Sequence, residues 1–121
     1  VLDAKDVLTV WGDGEQTRSF TYVSDEVAGM LLAAERYPEA DPLNIGTTEE
    51  IKIKDLVRLI VRLSGKDLQI EFDTSKPSGA ARRCPDISKA MRVIGYRPQV
   101  CIEEGIQRTL NWYQERIMAR Q

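Results

Sequence analysis

At 121 residues, 42% hydrophobic and 30% charged, the chain has the size and composition of one domain built around one core. Seventeen basic residues against nineteen acidic ones leave a net charge of −2, which supplies no overall positive field for nucleic acid or an anionic membrane surface. The lack of histidine removes imidazole general bases, Ser-His and Cys-His nucleophilic pairs and most zinc geometries together.

Two isolated cysteines, Cys84 and Cys101, suggest neither a disulfide framework nor a zinc site, and are expected to be free thiols of a cytoplasmic protein. No run approaches the roughly 18 to 20 apolar residues that span a bilayer, and the amino terminus does not resemble a signal peptide. The expectation is a soluble chain with no membrane partner. Its start at Val1 rather than at methionine points to a fragment.

Val7 to Trp11 is rich in β-branched and apolar residues and is stopped by Gly12-Asp13-Gly14, which predicts a strand and a turn. A second extended run, Ser19 to Val23, follows, with Arg18, Phe20 and Tyr22 alternating to one face. Ser24 is placed to cap a helix whose first turn holds Asp25 and Glu26, and Val27, Met30, Leu31 and Ala34 recur at helical spacing before Pro38. Pro42 to Ile45, closed by Gly46, is the next predicted strand, and Ile51 to Ile53 is a brief extended piece.

Leu56, Val57, Ile60, Val61 and Leu63 form the apolar stripe of a second helix, with Gly65 where a left-handed cap residue belongs. Leu68 to Phe72 alternates as a strand, and Thr74 to Pro85 has no period and is expected to be a loop. Asp86 caps a short helix through Ile94, ended by Gly95. The last helix runs from about Ile102, with apolar residues at Ile102, Ile106, Leu110, Tyr113 and Ile117 and the cations Arg116 and Arg120 near its end. Interleaved strands and helices without a repeat or long linker predict an α/β or α+β domain over residues 1–121.

Gly12-Asp13-Gly14 lacks the third glycine of a dinucleotide loop, and extended rather than helical residues follow it, so it is expected to be a turn between strands. Short-chain reductases use a tyrosine whose phenol is acidified by a lysine four residues on. Here Tyr22, Tyr37, Tyr96 and Tyr113 are followed at that distance by Glu26, Asp41, Val100 and Ile117. Binding chemistry is what remains. Lys76 to Arg97 holds six basic residues against one acid, Asp86. Arg18, at the head of a strand after a turn, has the planar fork that grips two phosphate oxygens, and Lys76, Arg82 and Arg83 lie on the aperiodic loop. Trp11, Phe20 and Tyr22 suit either a core or the wall of a base or sugar pocket, and Trp112 and Tyr113 are expected to pack.

The stretch from Trp11-Gly12-Asp13-Gly14 through Arg18-Ser19-Phe20-Thr21-Tyr22-Val23-Ser24-Asp25 resembles a segment of the extended short-chain nucleotide-sugar epimerases, dehydratases and decarboxylases. Leu43-Asn44-Ile45-Gly46, Pro85-Asp86-Ile87-Ser88-Lys89-Ala90 and Gly95-Tyr96-Arg97-Pro98 resemble later pieces in the same order. The resemblance implies the small substrate-binding domain of such an enzyme, with the Rossmann cofactor domain absent. It implies that Arg18 binds the diphosphate of a nucleotide sugar and that Val10 and Trp11 lie along the base or sugar.

Trp11 to Tyr22 is most similar to GDP-mannose 3,5-epimerases, whereas Phe72 to Gly79 with Arg82-Arg83 is similar to GDP-fucose synthases, where the lysine matching Lys76 is a phosphate ligand. Arg83 to Ile87 resembles UDP-glucuronate decarboxylases, in which the arginine matching Arg83 takes that role. The base is left open, with GDP favoured. NAD or NADP binding and hydride transfer are expected in a missing N-terminal Rossmann domain of a homodimeric parent, and the fragment alone is expected to bind no cofactor, catalyse nothing and expose an apolar patch. A stand-alone, non-catalytic nucleotide-sugar-binding or protein-interaction module is the rival expectation.

Overall fold

The computed structural model describes residues 1–117, so Arg120 and the helix end that it was expected to mark lie outside the described residues. Among the described residues, two small sheets and four helices form a mixed α/β fold. Strand β1 (Val7–Trp11) pairs in parallel with β4 (Gln69–Asp73), setting Val10 opposite Phe72 and Trp11 opposite Asp73. Leu8 and Val10 are half-buried while Val7, Thr9 and Trp11 face outward, which is the alternation of a strand covered on one face.

The second sheet has the order β3, β2, β5. Central β2 (Thr17–Ser19) runs antiparallel to β3 (Glu50–Lys52) and parallel to β5 (Arg82–Arg83). The extended run expected over Ser19 to Val23 stops at Ser19, because helix α1 (Val23–Arg36) already begins at Val23. Tyr22 occupies the cap position and makes no side-chain cap hydrogen bond, so Ser24 lies inside the first turn instead of capping it. Asp25 of that turn is buried, and its carboxylate accepts the backbone N–H groups of Gln99 and Val100 at 2.9 Å each, tying the loop before the last helix to α1.

Pro42 to Ile45, expected as a strand, forms none and pairs with no strand among the described residues. It serves as a wall of the core instead. Leu43 and Ile45 pack with Leu32, Ala33, Tyr37 and Met91 around the buried Ile87, Ala90, Ile94 and Tyr96. Gly29 permits this approach, since a β-carbon there would lie 2.4 Å from Ile45 and 3.0 Å from the Tyr96 ring. The core-facing side of α1 is therefore Asp25, Gly29, Leu32 and Ala33. The apolar stripe read from the sequence, Val27, Met30, Leu31 and Ala34, is the exposed face, joined there by Val23.

Helix α2 (Ile53–Ser64) ends as expected at Gly65, which is left-handed at φ 69°, and lies against the last helix, α4 (Ile102–Ile117), with Arg62 bridging to Glu103. Helix α3 (Ser88–Val93) has Ile87, not the expected Asp86, at its cap position and no side-chain cap hydrogen bond; Asp86 lies one residue earlier, where its carboxylate accepts the Ser88 N–H at 2.9 Å in a local turn. None of the described helices is long and apolar enough to cross a membrane.

Candidate functional site

The turn after β1 is built by two left-handed glycines, Gly12 at φ 83° and Gly14 at φ 74°. A β-carbon on Gly14 would sit 2.6 Å from Phe72 and 2.9 Å from the Lys54 side chain, so the turn is packed on β4 and α2. It leads into a strand, not a helix, and offers no anion-holding helix N-terminus. These residues do not fit the cradle of a dinucleotide cofactor.

Beyond the turn the chain enters β2, where Thr17 and Ser19 point to one side of the sheet and Arg18 to the other. The aperiodic loop expected over Thr74 to Pro85 departs from that expectation at its end, because Ala81 accepts the Thr17 N–H at 2.9 Å and Arg82-Arg83 join the sheet as β5. Consecutive strand residues face opposite ways, so the two arginines are sorted. Arg82 stands beside Thr17, and Arg83 stands beside Arg18 as its register partner.

The two faces differ electrostatically. On one, Arg82 donates to both oxygens of Glu50, at 3.0, 3.0 and 2.8 Å, and the Thr17 hydroxyl also donates to that carboxylate. The Thr17 hydroxyl and the Arg82 guanidinium hold the Glu50 carboxyl below the usual carboxylate range. Nearby, Glu15 accepts Lys52 at 2.8 Å and also Lys54, which holds its carboxyl down at about 2. On the other face, neither Arg18 nor Arg83 has an ion-pair partner among the described residues. Half-buried Arg18 is braced by one hydrogen bond to the carbonyl of Thr17, at 2.6 Å, and its other terminal nitrogen reaches the loop at Gly79. Like charges side by side on a sheet repel, and an anion between them removes that cost.

The loop from Thr74 to Ala81 closes this neighbourhood. Asp73 starts it by accepting the Ser75 N–H and hydroxyl at 3.0 and 2.5 Å and, through its carbonyl, the Lys76 N–H at 3.2 Å. The loop then passes close to Gly12, where a β-carbon would meet Ser78 at 2.7 Å, and on to Gly79 beside Arg18. Lys76 is exposed on it. Val10 is half-buried, and Trp11 is 63% exposed at the carboxyl end of the parallel β1–β4 pair. Of the aromatics weighed as core, Trp11, Phe20 and Trp112 are exposed, while Tyr22 and Tyr113 are half-buried.

An apolar hollow of about 230 Å³ lies elsewhere, between Phe20, Tyr22, Ile60 of α2 and Ile102, Ile106 and Leu110 of α4. It has no ionic group in its lining and is remote in chemistry from the arginine face. Sequence reasoning missed Glu50 and the sorting of Arg82 from Arg83. The signal was present in Arg82-Arg83 as adjacent positions of an extended segment, but two residues are too few to show a period.

The structure is thus an α/β module with two arginines side by side on one sheet face and no ion-pair partner for either among the described residues. The sequence matches the family model described as GDP-mannose 4,6 dehydratase over residues 1–109, and the chain belongs to this family of NAD-dependent nucleotide-sugar epimerases and dehydratases. It is 40% identical over 110 residues to UDP-glucuronic acid decarboxylase 1 of Xenopus tropicalis, covering 91% of this chain and 26% of that protein. A probable GDP-L-fucose synthase 1 of Oryza sativa subsp. japonica is 31% identical over 112 residues, covering 93% and 34%. Among solved structures, the UDP-glucuronic acid 4-epimerase of Bacillus cereus in complex with UDP-glucuronic acid and NAD superposes with a TM-score of 0.80 at 32% identity, covering 90% of this chain and 35% of that one. The chain thus spans about a quarter to a third of the length of the relatives it matches.

Proposed function

We propose that this chain forms the diphosphate-binding wall of an NAD(P)-dependent nucleotide-sugar epimerase or dehydratase. The observation that carries the proposal is the register of β2 and β5, which sets Arg18 beside Arg83 with no carboxylate to neutralise either among the described residues. A diphosphate between two guanidiniums accepts several charge-assisted hydrogen bonds at once. Lys76, on the loop that runs from β4 past Arg18, supplies a further cation to the same phosphates. Trp11, exposed at the end of β1, and Val10 beside it lie along the base or sugar.

Catalysis belongs to sequence outside these 121 residues. No tyrosine here has a lysine four residues on, and the Gly12-Asp13-Gly14 turn does not fit a dinucleotide. In the parent enzyme a bound NAD or NADP would take a hydride from the sugar and give it back once the sugar is altered, while this chain holds the nucleotide in place. A thermal-shift panel of GDP-, UDP-, dTDP- and CDP-sugars on the full-length protein tests the proposal. Stabilisation by one nucleotide sugar but not by the free sugar is expected. No stabilisation by any of the four contradicts it.

A further inference from the structure

We propose that Glu50, acting through Arg82 and Thr17, is a positioning residue for the arginine pair: it fixes the pleat of β5 on β2 so that Arg83 stays beside Arg18. The inference rests on Arg18 and Arg83 being the diphosphate grip. One carboxylate ties together one residue from each strand of the sheet: Glu50 itself from β3, Thr17 from β2 and Arg82 from β5. The Glu50 side chain is 24% exposed against 67% for Arg82, so the guanidinium comes to the carboxylate at the sheet surface.

The need for such a tie follows from the length of β5. Two residues give few backbone hydrogen bonds, and a short polar strand has a weakly specified register. A slip by one position exchanges the faces of Arg82 and Arg83 and carries the second guanidinium away from its place beside Arg18. Glu50 opposes the slip by engaging Arg82 at both oxygens from the far side of the sheet. The same contact keeps Arg82 off the anion face, so the dipeptide offers one neutralised cation and one with no ion-pair partner among the described residues. Glu50 touches no phosphate in this arrangement; it acts through the strand.

The sign of the effect separates this from simple electrostatics. If Glu50 acted on the ligand only through its charge, Glu50→Gln would remove an anion near the site, release Arg82 and tighten phosphate binding. The positioning role predicts the opposite. In calorimetric titrations of the full-length protein with UDP and GDP, Glu50→Gln should weaken binding of whichever the wild type takes by roughly fivefold to tenfold, the worth of one displaced contact. Titration with UMP and GMP should change less, because a monophosphate does not need both arginines; a general loss of structure would lower both alike.

Arg82→Gln, which leaves Thr17 on Glu50, should reproduce the loss, and the double variant Glu50→Gln/Arg82→Gln should be no worse than either single one. Exchanging the pair as Glu50→Arg/Arg82→Glu should restore part of the affinity. Tighter or unchanged diphosphate binding in Glu50→Gln, or additive losses in the double variant, overturns the proposal. Arg18→Ala distinguishes the levels. If Arg18→Ala also leaves binding unchanged, the diphosphate grip itself is wrong; if only Glu50→Gln does, the positioning role alone falls.

Discussion

Arg18 and Arg83 carry the proposed function because neither has an ion-pair partner among the described residues, whereas equally basic neighbours are paired. Lys52 and Lys54 hold Glu15, Arg82 holds Glu50, and Lys89 pairs with Asp41 beneath the Tyr37 ring. Tyr96 shows the same division for buried groups. Its phenol is raised above its usual range by burial and by the nearby Asp25 and Glu26, so it stays protonated and donates to the Gly46 carbonyl at 2.9 Å. Tyr96→Phe should leave that carbonyl without its partner inside the core and cost about 1 to 3 kcal/mol, read as a lower urea midpoint at constant slope. An unchanged midpoint would show that water replaces the phenol. Arg18 was legible in the sequence because a turn precedes it and its own strand is short and extended. Arg83 was a candidate on the aperiodic loop together with Arg82, and only the resemblance set it apart, since the face that separates the two does not show in the two residues of β5.

Elements with strong local signals formed as the sequence implied. β1 alternates and stops at two glycines that require left-handed backbone, and α2 ends at a left-handed Gly65. The misread elements are those decided by tertiary contact. Pro42 to Ile45 has the composition of a strand, yet Leu43 and Ile45 pack on side chains of α1 and α3, so the segment joins no ladder among the described residues. The apolar spacing in α1 marks the helix but falls on its exposed face, because periodicity shows an apolar stripe without saying what covers it. Glu15 joins the turn before β2 to Lys52 of β3 and Lys54 of α2, and its lowered pKa gives this junction a pH signature. A depressed carboxylate stabilises the fold above its unfolded value of about 4.5, and the contribution is lost as the pH falls through about 2. Stability should therefore decline across that window, and Glu15→Gln should flatten the decline in acid titrations followed by circular dichroism. Equal slopes for the two proteins would remove Glu15 from the acid response.

At the scale of the molecule, four apolar side chains on one helix, Val23, Val27, Met30 and Leu31, lie outside the core, with Leu31 65% exposed. They fall within one arc of α1, opposite the arc that packs on Tyr96 and Ile45. A helix apolar on two opposite faces is one that packs on both. The 121-residue chain by itself should accordingly self-associate through this face, and Leu31→Glu should shift its sedimentation toward monomer. A clean monomer of the unaltered chain at high concentration would contradict that. The family relationship spans almost the whole chain but only about a quarter to a third of its relatives, and within this chain the proposed nucleotide grip rests on the arginine face. The most direct test of that face is calorimetric titration of the full-length protein with its stabilising nucleotide sugar, before and after Arg18→Ala. A loss of roughly 1.5 to 3 kcal/mol, that of a charged hydrogen-bonded contact, is expected; unchanged affinity would contradict the assignment of this sheet face to the diphosphate.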